Sequence, residues 1–174
     1  MDLGLPSGLK WATCNVGADS PEEFGDYYAW GEIKPKESYI EDNYIAYTTN
    51  LEDISGDVNY DAARANWGGD WRMPTIDEWK ELVENCAIHS ATENETKGFK
   101  FTSKKNGNSI FIPAAGYNAS LEREVGQYGR YWSSTHNMGN TEMAYNFGIS
   151  NLSECYACGK GYGYHGLTIR PVLD

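Results

Sequence analysis

A change of hydrophobic period part-way along the chain limits its fold more than any other feature. Thr75 stands at an N-cap, and Glu78 completes a capping box three residues later. Ile76, Trp79, Leu82, Val83 and Cys86 then fall on one face. That spacing predicts an amphipathic helix over 76–86. Beyond it the period becomes two. Phe99 and Phe101 alternate with Lys100 and Thr102, and Asn106-Gly107 is a strong hairpin signal. Ser109-Ile110-Phe111-Ile112 returns as the partner strand, which Pro113 ends. Residues 129–133, 144–148 and 167–170 read as three further short strands, with a loop rich in Gly, Tyr and Cys over 150–166.

Upstream the signals are shorter. Residues 5–18 read as a strand entering a turn. Ser20-Pro21-Glu22-Glu23 has the form of a capping box, predicting a short helix that Gly25 stops. Tyr27-Tyr28-Ala29-Trp30 reads as a strand. The polar stretch 34–59 keeps no period and reads as an excursion of loops with at most a helical turn or short strand. Asp61 to Ala65 forms a short helix before Gly68-Gly69. Helices early and hairpins late make an α+β chain of two or three helices, short antiparallel strands and long loops. At 174 residues it is one domain, 1–174. The expected core is Trp11, Trp30, Trp71, Trp79, Trp132, Phe111 and Val172.

Charge narrows the function. Lys and Arg number 14 and Asp and Glu 25, a net charge of −11, which argues against nucleic acid or an anionic membrane as partner. No apolar run approaches the roughly 20 residues that span a bilayer. The start shows no basic and apolar leader pattern. Thirteen Tyr and six Trp beside nineteen Gly suit short strands, tight turns and an aromatic contact surface.

Candidate chemistry is sparse. Cys155-Tyr156-Ala157-Cys158 has the spacing of half a zinc site, a redox pair or a soft-metal site. Gly159 and Gly161 do not continue a helix, and Cys14 and Cys86 are isolated, so two loop thiols are the simpler reading. Glu32, Glu37, Glu41, Asp42 and Asp53 lack EF-hand spacing and read as a solvated acidic face. No Gly-x-Ser-x-Gly, His-Glu-x-x-His or Walker pattern occurs. Asp61 and Glu78 are explained by helix starts. The expectation is therefore no catalytic residue, no metal and no cofactor.

Recognition points instead to the C-terminal third. Residues 153–165 hold Tyr156, Tyr162, Tyr164 and His165 among glycines. Rigid Tyr side chains supply anchors there and Gly supplies backbone freedom. With His136 and Asn137 in the preceding turn, Tyr145, and Cys155 at the start of the loop, they form the expected ligand-binding set. The region at about 128–166 is the expected binding region.

Several segments together resemble a known family. They are Asp2-Leu3-Gly4-Leu5-Pro6-Ser7-Gly8-Leu9-Lys10-Trp11-Ala12, Tyr28-Ala29-Trp30-Gly31-Glu32, and Asp61-Ala62-Ala63-Arg64-Ala65-Asn66-Trp67-Gly68-Gly69. Trp71-Arg72-Met73-Pro74-Thr75, Ile112-Pro113-Ala114-Ala115-Gly116-Tyr117, Tyr131-Trp132-Ser133-Ser134 and Ile169-Arg170-Pro171-Val172 complete the set. The chain resembles the Fibrobacter succinogenes major paralogous domain family, common in surface proteins of gut Bacteroidetes. That family is similar to a branch of the C-type-lectin-like fold holding formylglycine-generating enzyme and the variable proteins of diversity-generating retroelements, phage receptor binders among them. The resemblance implies a C-type-lectin-like fold whose termini meet in a small sheet, with a ligand face near the C-terminus.

It also implies a protein or glycan partner and a place on a cell surface, a secreted protein or a phage virion. Two other readings stand beside it. One is an oxidase of the formylglycine-generating kind with copper on Cys155 and Cys158, although that enzyme separates its cysteines by four residues and this chain by two. The other is a structural module of a surface protein. Adenine-directed mutagenesis of AAC-type codons cannot yield Lys or Glu. Eleven of the thirteen residues 153–165 fall in the permitted set; Glu154 and Lys160 do not.

Overall fold

Thr75 begins the helix as expected. In a computed structural model describing residues 1–46, 51–119 and 124–174, its side chain accepts from the Glu78 N–H while Glu78 reaches back to the Thr75 N–H. Helix α2, Ile76–Asn85, buries Ile76, Trp79 and Leu82. Helix α1, Ala62–Trp67, is capped by Asp61, which accepts from the Ala63 and Arg64 N–H groups. A 3-10 turn, Glu41–Asn43, is the regular element of the excursion among its described residues.

Eight strands form three antiparallel sheets among the described residues. Strand β1 (Lys10–Trp11) pairs with β8 (Val172–Leu173), so the two ends of the chain meet. Strands β2 (Cys86–Glu93), β3 (Thr96–Ser103) and β4 (Ser109–Pro113) form a meander. Strands β5 (Gly129–His136), β6 (Met143–Ser150) and β7 (Glu154–Tyr162) form another. The architecture is α+β.

Successive residues of a strand point to opposite faces, and this sorts the core. Tyr131, Phe147 and Ile149 point toward α2 and join Trp11, Trp79, Leu82, Phe101 and Val172 in the first cluster. Trp79 stacks on Phe147 at 4.4 Å. Trp132 and Ala144 point the other way, joining Tyr28, Trp30, Met73, Leu167 and α1's Ala62 and Ala63. The third sheet thus lies between two cores.

Several expectations need correction. Ser20 to Gly25 is a turn: Glu23 accepts from the Asp19 N–H instead of closing a capping box, and Gly25 at φ +70° ends the segment before a helix can nucleate. Residues 27–30 form no ladder; Tyr28 makes a single bridge to Leu167. Likewise 167–170 is extended chain with isolated bridges. Trp71 is only half-buried, edge-on to Trp67 at 5.2 Å. Glu32 is not solvated: it is 6% exposed and paired with Lys36 at 2.7 Å. The expected loop over 150–166 contains strand β7 over 154–162, and 86–93 is a strand although its sequence shows no clean alternation.

Candidate functional site

Strand register places the C-terminal residues. Arg130, Gly148 and Tyr156 form one row across the third sheet, followed by Trp132, Asn146 and Gly159. A Cβ at Gly148 would come within 2.2 Å of the Tyr156 ring, and one at Gly159 within 2.8 Å of it. Tyr156 therefore lies flat over two glycines, on the face that carries Trp132 rather than the face covered by α2. Asn146, 1% exposed, sits beside it, and its Nδ2 has no partner.

At the end of β7 the rings gather. Tyr162 stacks on Tyr164 at 5.3 Å, and His165 meets Tyr164 edge-on at 4.8 Å and Tyr162 at 5.6 Å. Tyr162 is 38% exposed. His165 has a buried Nδ1 without a partner; burial first, then the nearby Arg130 charge, lowers its pKa. Arg130 lies 4.3 Å over the Tyr117 ring and has no ion-pair partner among the described residues.

The excursion frames this end of the sheet. Gly163 and Gly166 leave the space that Tyr44 and Tyr39 fill: a Cβ would come within 2.4 Å of the Tyr44 hydroxyl at one and 2.7 Å of the Tyr39 ring at the other. Tyr44 donates to the Trp30 carbonyl at 2.9 Å, and Tyr39 donates to the Tyr27 carbonyl. A cleft of about 210 Å³ opens between Glu41, Tyr44, Glu142, Tyr162 and Tyr164. Burial, then Glu41, Tyr162 and Glu142, raises the Tyr164 pKa.

A larger cavity, about 460 Å³, lies within the excursion beside Glu32, Lys36 and Ile45. Its charges already serve the fold. Glu32 accepts from the Ile45 N–H and from Lys36, whose ammonium also donates to the Asn43 carbonyl.

Of the eight expected site residues, Tyr162, Tyr164 and His165 gather in one ring cluster, and Tyr156 lies farther along the sheet over Gly148 and Gly159, half-buried. The other four do not join them. His136 is 5% exposed, stacked on Trp30 at 4.6 Å, with its ring nitrogens 3.1 Å from the Leu51 carbonyl and 3.0 Å from that of Thr141. Asn137 is equally buried in the turn to β6. Tyr145 faces the α2 side, where the Lys160 ammonium lies 5.2 Å from its ring. Cys155 packs against the first core cluster, its thiol pKa raised by burial, while Cys158 is exposed. Both thiols are free, and no three His, Cys, Asp or Glu side chains converge among the described residues. Trp132 and Arg170 are both fully buried.

Glu41, Tyr44, Glu142, Arg130 and Asn146 were missed. The available signal was Gly163 and Gly166, small residues marking where distant aromatics approach. Asp61 and Glu78 stay apart: Asp61 accepts from four backbone N–H groups, and Glu78 pairs with Arg72 at 2.7 Å. Among known proteins, no family model, no curated protein and no solved structure matches this chain.

Proposed function

We propose that the chain is a non-catalytic ligand-binding domain of the C-type-lectin-like kind that recognises a protein or glycan through the aromatic end of its third sheet. The observation carrying this reading is the partly exposed cluster of Tyr162, Tyr164 and His165. Rings already stacked on one another lose little side-chain entropy on binding, and each offers an apolar face with a polar edge. The joined chain ends in β1 and β8 agree with the proposed fold. A surface or virion setting, with the variable region of a retroelement target at about 128–166, belongs to the same proposal. So does the absence of nucleic acid among its partners, which the charge of −11 supports. No helix of the described residues is long and apolar enough to cross a membrane.

Protein and glycan arrays test it. Hits obtained with the intact chain should weaken at least tenfold for Tyr162→Ser. Hits that ignore this substitution would place the site elsewhere, and an array without hits would favour the structural-module reading.

A further inference from the structure

The cleft beside Tyr162 has a chemistry that narrows the ligand. Three phenol rings and two carboxylates line about 210 Å³. That is below the roughly 300–1,000 Å³ of a drug-sized ligand site and suits one side-chain group rather than a sugar chain. Aromatic faces carry negative quadrupole potential, and a cation held between such faces gains most where water is partly excluded. Glu142 adds full charge: its carboxylate has no ion-pair partner among the described residues. Tyr44 already has one cation near its ring, the Lys36 ammonium at 6.0 Å, so the ring environment tolerates positive charge. The Tyr164 pKa is raised first by burial and then by Glu41, Tyr162 and Glu142, so part of its rise comes from these negative neighbours. Among the described residues nothing in the lining is basic.

Resting on the recognition reading above, we propose that this cleft is a cation pocket. It takes the guanidinium or ammonium of an Arg or Lys side chain presented by a protein partner. Tyr162 and Tyr164 provide the faces, Glu142 the counter-charge, and Glu41 and Tyr44 the far wall. The net charge of −11 favours approach of such a partner.

The test uses the whole chain with ¹³C-labelled tyrosine rings, titrated with N-acetyl-arginine methylamide and N-acetyl-lysine methylamide. N-acetyl-citrulline methylamide is the uncharged isostere and methyl α-mannoside the glycan control. Both cations should shift the Tyr162 and Tyr164 signals saturably at millimolar concentration. Citrulline should bind about fivefold more weakly or not at all. Glu142 is exposed and its side chain makes no hydrogen bond or ion pair among the described residues, so Glu142→Gln should stay folded and weaken both cations about three- to fivefold. Equal binding of arginine and citrulline overturns the proposal, as does binding unchanged by Glu142→Gln or the absence of any saturable shift. Ring shifts from the mannoside, unaffected by Glu142→Gln and without a cation effect, overturn it while leaving the aromatic-face reading intact. No shift from any probe, together with array hits insensitive to Tyr162→Ser, ends both.

Discussion

The two sides of strand β7 carry different residues and do different things. Toward α2 the strand turns Cys155 and Ala157 into the first core cluster, under a helix whose Trp79 is fully buried. On the opposite side it offers Tyr156 laid over Gly148 and Gly159, and it ends in the Tyr162–Tyr164–His165 rings. One side packs into core at Cys155 and Ala157; the other is core at Trp132 and Ala144 and keeps aromatic surface within reach of water at Tyr156. A strand one residue out of register would exchange the two roles. The glycines hold the arrangement, because a side chain at 148 would push the Tyr156 ring off the sheet.

The largest effect should come from the α2 side. Trp79→Ala removes a ring that stacks on Phe147 and lies 4.6 Å from Trp11, and should cost about 3–5 kcal/mol in a chemical melt. A loss below about 1 kcal/mol would remove the contrast between the sides. Next, Gly148→Ala brings a methyl against Tyr156 and should cost about 1–3 kcal/mol as overpacking. Its array binding should fall with the displaced ring; unchanged binding would remove Tyr156 from the ligand face.

Thiol chemistry separates the sides further. Burial pushes the Cys86 thiol up to about 11 and also raises that of Cys155, whereas Cys158 is exposed. Iodoacetamide at pH 8 followed by mass mapping should modify Cys158 first, Cys155 later and Cys86 last. The Cys86 shift also carries a pH dependence. Its folded pKa lies above the ordinary 9.0, so the native state keeps a proton that the unfolded chain loses. That contribution is complete below pH 9 and disappears as pH rises toward 11; Cys86→Ser should flatten this part of a melt-versus-pH series. The smallest effect belongs to the cleft. Glu142→Gln removes a negative neighbour, so the Tyr164 pKa should move down, toward its ordinary value, in a ¹³C-tyrosine titration. An upward move would mean the carboxylate does not act on this ring.

What could be read from sequence follows from how local each signal is. Thr75 and Glu78 satisfy each other within one turn, and the hairpin through Asn106-Gly107 joins the alternating Phe99–Thr102 segment to the apolar run Ile110–Ile112, so both were legible. Ser20 and Glu23 carried the same letters without the result, because five residues before Gly25 cannot repay helix nucleation. β7 hid for a different reason. Its inward positions on the open side are glycines, and the space above Gly148 and Gly159 is filled by Tyr156 of the strand itself. No periodicity of apolar residues records that. β2 is an edge strand with exposed His89 and Ser90, and its pairing with β3 supplies most of what defines it. Within the candidate site, the tyrosines after Cys155 were legible by composition. The direction of His136, Tyr145 and Cys155 was not, since the register shifts between Trp132 and His136 and between Asn146 and Gly148 decide which side each strand segment presents. The placing of Glu41 and Tyr44 against Tyr162 and Tyr164 joins residues more than a hundred apart in sequence.

The most direct test of a division between a stabilising and a recognising side is a chemical melt and a binding titration on one preparation of Tyr162→Ser, Tyr164→Ser. The titrant is the strongest protein or glycan hit from the arrays. Both tyrosines pack near the surface, so unfolding free energy should drop by about 1 kcal/mol or less in total. Binding should fall by about 2 kcal/mol or more, roughly thirtyfold. A folded double variant that binds like the parent, or one that no longer folds, would contradict the account.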